Sequence, residues 1–165
     1  MRLYSVLCVA AAFTLTACGG SDTTVMTDSD GNEVKVTKQG SDENTQIKIE
    51  SADGSGTVNI GGAASNARLP FDFKPYPGAK VVSTMMGNSD GKSGGMIVMT
   101  SSGKRDDIVD FYRTAAEAKG FKIETEITSG EMRSIAGRKG ESDTFSLQVT
   151  PSDGETSITL LAGEG

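Results

Sequence analysis

Only one stretch of this chain carries a helical stripe, and most of what surrounds it alternates. Between Lys104 and Lys119, the residues Ile108, Phe111, Tyr112, Ala115 and Ala116 recur at spacings of three and four. That spacing gathers them on one side of a helix. Asp106 and Asp107 fall in its first turn, where the positive end of the helix dipole favours them. Gly120 supplies a left-handed stop, and Phe121 can fold back onto the last turn. Arg113 and Glu117 are spaced to pair on the outer side. Downstream the period becomes two: Phe121, Ile123 and Ile127 alternate with Lys122, Glu124 and Glu126, and Phe145, Leu147 and Val149 with Ser146, Gln148 and Thr150. Ile158, Leu160 and Ala162 repeat the pattern, and Met132–Ala136 is a shorter, weaker piece. Such alternation buries one face and wets the other, which is the habit of an antiparallel sheet.

Upstream of the helix, Lys80–Met86 reads as a strand and 87–94 as a turn-rich loop. Met96-Ile97-Val98-Met99 is apolar on both faces, so its strand is expected to be central. The order is then β-β-α-β-β-β-β. The expected fold is α+β: an antiparallel sheet of five to six strands with one helix packed on one face. Lys74-Pro75-Tyr76-Pro77-Gly78-Ala79 makes a rigid entry turn, because proline fixes φ and glycine permits the bend.

Residues 18–67 have a different composition. From Gly19 to Ala67 there is no aromatic residue, and Asp22, Asp28, Asp30, Glu33, Asp42, Glu43, Glu50 and Asp53 face only Lys35, Lys38 and Lys48. Low hydrophobicity with net charge is the composition of a solvated tether. Short alternating pieces recur within it (Thr24-Val25-Met26, Glu33–Val36, Gln46–Ile49, Thr57–Ile60), with Asp30-Gly31 and Asp53-Gly54 as hairpin turns. The reading is an acidic spacer with two weak hairpins or a small four-stranded meander, its order left open because an isolated hairpin is marginal in water. Gly61–Ser65 serves as a flexible joint. The expected divisions are 1–17, 18–67 and 68–165.

Residues 1–17 have one charge, Arg2, and then a run to Ala17 that is apolar or small apart from Tyr4, Ser5, Thr14 and Thr16. The run is shorter than the roughly 20 residues a membrane-spanning helix needs, and it has the layout of a secretory signal peptide. Its end, Leu15-Thr16-Ala17-Cys18, resembles the lipobox of bacterial lipoproteins. The resemblance implies diacylglyceryl transfer to the Cys18 sulfur, cleavage before Cys18 and acylation of the new amino group. It also implies a cell-envelope address facing the periplasm. Gly19 after the cysteine favours the outer membrane over the inner under the family's sorting rule. Two or more acyl chains anchor a protein stably. Cys8 would leave with the signal and Cys18 would carry lipid, so no disulfide remains. Loss of Arg2 takes the formal charge from −6 to −7, which argues against nucleic acid as a partner.

Tyr76-Pro77-Gly78-Ala79-Lys80-Val81-Val82, then Asp107–Tyr112, then Ala118-Lys119-Gly120-Phe121 resemble a recurrent small domain of bacterial envelope lipoproteins. The resemblance covers about residues 70–163. It implies an α+β fold and an envelope location and supplies no active site.

The chemistry open to the chain is narrow. It has no histidine, which removes Ser-His-Asp and Cys-His activation, and without a free thiol or imidazole no zinc site is expected. A carboxylate pair, a Ser-Lys dyad or an oxygen-ligand metal site could still work. Asp28-Ser29-Asp30-Gly31-Asn32-Glu33 has half the pattern of a calcium loop but lacks its length and flanking helices, so a hairpin turn is the reading. Gly91-Lys92-Ser93 ends like a phosphate-binding loop, but a strand follows where a helix is needed. Asp106, Asp107 and Asp110 read as helix-start electrostatics rather than general acid-base groups. No catalytic residue, metal or cofactor is expected. Four methionines on two neighbouring strands, Met85, Met86, Met96 and Met99, are a candidate interaction patch, because methionine adapts to varied partners and one helix need not cover the whole sheet. Soft core filling is the competing explanation. The expectation is therefore a non-catalytic, lipid-anchored envelope protein with a structural or protein-binding role and an envelope protein as partner. The rivals are a ligand- or divalent-cation-binding lipoprotein and an enzyme using acidic residues.

Overall fold

The computed structural model describes residues 21–27, 31–41, 43–66 and 68–165. The signal segment 1–17, the lipidation site Cys18, and Asp28, Ser29 and Asp30 of the half calcium loop lie outside the described residues.

Ten strands form one antiparallel sheet. In chain order they are β1 (Ser21–Thr27), β2 (Glu33–Ser41), β3 (Asn44–Ser51), β4 (Gly54–Gly61), β5 (Lys80–Ser89), β6 (Lys92–Ser101), β7 (Lys122–Ser129), β8 (Met132–Lys139), β9 (Asp143–Ser152) and β10 (Glu155–Gly163). The helix α1 (Arg105–Ala118) lies between β6 and β7 in sequence. The spatial order is β1-β2-β3-β4-β5-β6-β10-β9-β8-β7. After β6 the chain crosses through α1 to the far edge and returns as a four-strand meander, so that β10 closes against β6.

This corrects the expected sheet of five to six strands. The described residues of the segment taken for a tether hold four strands of the same sheet, joined by the β4–β5 pairing that runs from Gly54↔Ser89 to Ile60↔Ser83. The hairpins are weak only when considered alone. The free edge of β5 offers a row of unpaired N–H and C=O groups, and each hairpin strand extends that template. A side-chain relay strengthens the junction: Gln46 Nε2 donates to Asn59 Oδ1 at 2.8 Å, and Asn59 Nδ2 donates to Thr84 Oγ1 at 3.2 Å. Asn59 and Thr84 are buried and Gln46 is half-buried, so the relay links β3, β4 and β5 and its β4–β5 bond is shielded from water. The supposed flexible joint becomes a short 3₁₀ turn, Gly62–Asn66.

The expected loop 87–94 is also strand. β5 and β6 pair out to Ser89↔Lys92, and the chain reverses in two residues. Asp90 and Gly91 both take positive φ, 53° and 74°, the geometry of a type I′ hairpin turn.

The core lies between α1 and one face of the sheet. Ile108, Val109, Tyr112 and Ala116 of α1 are buried against Ile135 of β8, Phe145, Leu147 and Val149 of β9, and Ile158 and Leu160 of β10. The helix ends as its glycine requires: Gly120 has φ 86°, its N–H donates to Glu117 O at 2.9 Å, and the Phe121 N–H donates to Ala116 O at 3.0 Å. That bond pair is the Schellman motif, and it turns the Phe121 ring into the core beside Phe73 and Phe145. Arg113 pairs with Glu126 of β7 at 2.7 Å rather than with Glu117, and Arg133 of β8 pairs with Asp106 at 3.0 Å. Exposed pairs of this kind contribute about 0–1 kcal/mol, so they orient α1 more than they hold it.

Candidate functional site

Partners in an antiparallel ladder share a face, and successive residues alternate. The registers therefore sort every side chain. Met99 pairs with Ile158 and Val81, and it is fully buried on the helix side. Met86 lies on the same side, packed against the core. Met85 and Met96 are cross-strand partners on the opposite face. The four methionines are thus not one patch: Met86 and Met99 fill core, and Met85 and Met96 face outward.

On that outward face the registers continue in two parallel rows. One is apolar: Ile47↔Val58, Val58↔Met85, Met85↔Met96 and Met96↔Leu161 run across β3, β4, β5, β6 and β10. Met85 is 49% exposed and Leu161 43%. Two residues along each strand runs the second row: Ile49↔Gly56, Gly56↔Gly87, Gly87↔Gly94 and Gly94↔Gly163, ending at Thr144. Four consecutive strands thus place glycine side by side. The result is a groove of about 640 Å³ between the ridge and the glycine row. Thr57, Thr144 and Ser146 are its polar lining residues, and no charged residue lines it.

The chain geometry does not demand these glycines. None of the four has a left-handed φ, and a Cβ on Gly56, Gly87, Gly94 or Gly163 would meet its nearest neighbour at 3.7, 3.6, 3.8 or 3.6 Å, ordinary contact. Gly137 is different: a Cβ there would run into the carbonyl oxygen of Lys122. Each strand glycine costs roughly 0.5–1 kcal/mol relative to alanine, so the row forgoes about 2–4 kcal/mol. Glycine inside a strand marks a bend or the close approach of another molecule.

Elsewhere the described residues offer little chemistry. They contain no group of three acidic, Cys or His side chains placed to hold a metal ion. Asp106 is taken up by Arg133, and Asp107 and Asp110 are exposed. Lys92 and Ser93 belong to the β5–β6 hairpin, and Ser93 Oγ bonds Glu164 Oε2 at 2.6 Å. Tyr112 is the one titratable group strongly perturbed among those described: burial pushes its hydroxyl well above the usual tyrosine range, opposed by a hydrogen bond from the Tyr76 backbone. Its O–H donates to Lys74 O at 3.1 Å and sits 3.7 Å from Met99 Sδ. It is a core group without access to a ligand.

The sequence reasoning missed the glycine row, because Gly87–Gly94 carries the composition of a loop. The signal that finds it is register: once β5 and β6 are paired through a two-residue turn, Gly87 and Gly94 must face each other.

Residues 81–157 match a family model described as START domain-like. The match runs from β5 into β10, takes in α1, Gly87 and Gly94, and covers less than half of the chain. No curated protein and no solved structure matches.

Proposed function

We propose that this chain is a non-catalytic binding protein of the cell envelope, held to a membrane by acyl groups on Cys18, and that its working surface is the outward sheet face, where the groove takes a small apolar ligand. The observation that carries the ligand reading is the glycine-floored groove beside the Ile47–Leu161 ridge. Its volume falls within the roughly 300–1,000 Å³ of ligand sites, and its lining has their mostly apolar character with a few polar groups. The START domain-like match supports the same reading, since domains of that description often bind ligands. Two methionines in the ridge suit a site that adapts to the shape of what it holds.

Two measurements test the two halves. An environment-sensitive apolar dye such as 1-N-phenylnaphthylamine should brighten on adding the full chain, and less so with Met85→Ser/Met96→Ser; no brightening with the wild type removes the ligand reading. Metabolic labelling with palmitate should mark the wild type and spare Cys18→Ser; an unmarked wild type removes the anchor.

A further inference from the structure

The outward groove has one wall. Each of β4, β5, β6 and β10 carries an apolar residue and, two positions away on the same side, a glycine: Val58 with Gly56, Met85 with Gly87, Met96 with Gly94, Leu161 with Gly163. The next row beyond the glycines holds Gly54, Ser89 and Lys92, and none of these lines the groove. The relief is therefore a step, a ridge beside a lower floor. A step is complementary to itself turned over. A two-fold axis lying across the strands, midway between ridge and floor, lays the ridge of one copy on the floor of the other and repeats the contact in reverse. That is the condition for an isologous interface. Because the axis runs across the strands, each strand meets its own counterpart. Met85 comes over the partner's Gly87, and Met96 over the partner's Gly94. Facing sheets pack about 10 Å apart, with their strands about 30° from aligned. At that angle the two central pairs stay in register, and Val58 and Leu161, about 7 Å from the centre, drift by roughly half the spacing between rows.

The composition fits this contact. The backbone does not demand the four glycines, but lowering the floor admits the partner's methionines, which are long and adaptable, at ordinary sheet spacing. Ridge and floor carry no charged residue on β3, β4, β5, β6 and β10, so two chains of net charge −6 meet there without setting like charges face to face. Four rows on those five strands, from the Ile60 row to the Ser89 row, measure about 27 by 24 Å. That is ~650 Å² of each copy and ~1,300 Å² for the pair, within the roughly 1,200–2,000 Å² of stable specific interfaces. Ile49, Ile60, Met85 and Leu161, all exposed in the single chain, lie inside the covered area.

We infer that a second copy of this chain covers the outward sheet face, ridge on floor about a two-fold axis. This goes beyond the ligand reading and stands without it. Where an apolar ligand is taken, ligand and partner compete for one floor.

The test is sedimentation equilibrium of the full chain made without acylation, with Cys8→Ser and Cys18→Ser excluding disulfide dimers. It should show a monomer–dimer equilibrium that added salt strengthens, because screening weakens repulsion between like-charged copies. Two variants of this chain divide the step. Gly87→Met/Gly94→Met fills the floor and keeps the ridge; Met85→Ala/Met96→Ala removes the ridge and keeps the floor. Each alone should dimerise at least tenfold more weakly, with circular dichroism and the unfolding midpoint near the parent's. Mixed, they should form a heterodimer at least tenfold tighter than either homodimer. The ridge of the first then has an open floor to lie on, and its filled floor meets the lowered ridge of the second. A parent chain that stays monomeric at every concentration overturns the inference. So does a floor-filled variant that associates as well as the parent, or a mixture of folded variants that yields no heterodimer. The naphthylamine dye separates this outcome from the ligand reading. A monomeric parent that brightens the dye leaves the ligand reading standing alone, and a dimer with no brightening at any dilution leaves the second copy standing alone. A dimer, with brightening per chain that rises on dilution, supports both; neither dimer nor brightening ends both.

Discussion

Replacing Tyr112 with phenylalanine should change stability by an amount that reverses sign with pH. The side chain is fully buried, and its hydroxyl donates to the Lys74 carbonyl at 3.1 Å. Losing that bond at neutral pH should cost about 1 kcal/mol, the usual net worth of a buried hydrogen bond. Burial raises the pKa of the folded hydroxyl well above its ordinary value of 10.0. In the unfolded chain it ionises near that ordinary value. The stabilisation from keeping the proton is complete below about pH 10 and drains away as pH climbs from there toward the folded value, because only the unfolded state releases the proton. The loss is about 1.4 kcal/mol per pH unit. Tyr112→Phe has no such proton to lose. The wild type should therefore lead by about 1 kcal/mol near pH 8, and the two should be equal or reversed near pH 11. Urea unfolding followed by circular dichroism at several pH values measures both, and taking the difference between the two proteins cancels the titration of every other group. A gap that stays constant from pH 8 to pH 11 would refute the buried, proton-retaining hydroxyl.

Two further substitutions probe the sheet itself. Asn59→Ala leaves Gln46 and Thr84 without their shared partner and should destabilise by about 1–3 kcal/mol. Amide exchange should show β1–β4 losing protection before β6–β10, and an unchanged exchange pattern would mean the relay does not couple the two halves. Gly137→Ala forces a methyl onto the Lys122 carbonyl and should cost about 1–3 kcal/mol, as overpacking does. Gly56→Ala should be neutral or stabilising by up to about 1 kcal/mol; equal costs at the two sites would show that both glycines answer to the backbone.

What was legible in the sequence is what local rules decide. The helix shows in the spacing of Ile108, Tyr112 and Ala116, and α1 runs Arg105–Ala118. The turns show in Asp-Gly pairs, and the Gly120 stop is in place. What was not legible depends on pairing. Hairpins at Val34–Ile60 are marginal or firm according to whether β5 offers them an edge, and no residue within them says which. Gly87-Asn88-Ser89 and Lys92-Ser93-Gly94 have loop composition and become strand because their partners hold them. The methionines could have been separated sooner: Met85 and Met86 are adjacent, and Met96 and Met99 are three apart, so a period of two sends the members of each pair to opposite faces.

The two faces of the sheet differ in polarity at β2 and β3. A helix of 14 residues is about 21 Å long at 1.5 Å per residue, and ten strands span about 43 Å. α1 packs on β7, β8 and β9 and does not reach β1–β3. Where no helix arrives, the helix-side surface of β2 and β3 is polar, with Lys35 opposite Glu50, Thr37 opposite Lys48 and Gln39 opposite Gln46. That is what solvent alone would ask of an uncovered sheet. The other side of the same strands carries Val36 and Ile49 as partners, and Ile47 beside Val58, in line with the Met85–Met96–Leu161 row. No element of the described chain needs those side chains as core, and leaving apolar surface in water has no folding benefit. Apolar residues on the side the described residues leave open, with polar ones on the uncovered part of the side they close, are accounted for if something other than those residues covers that face.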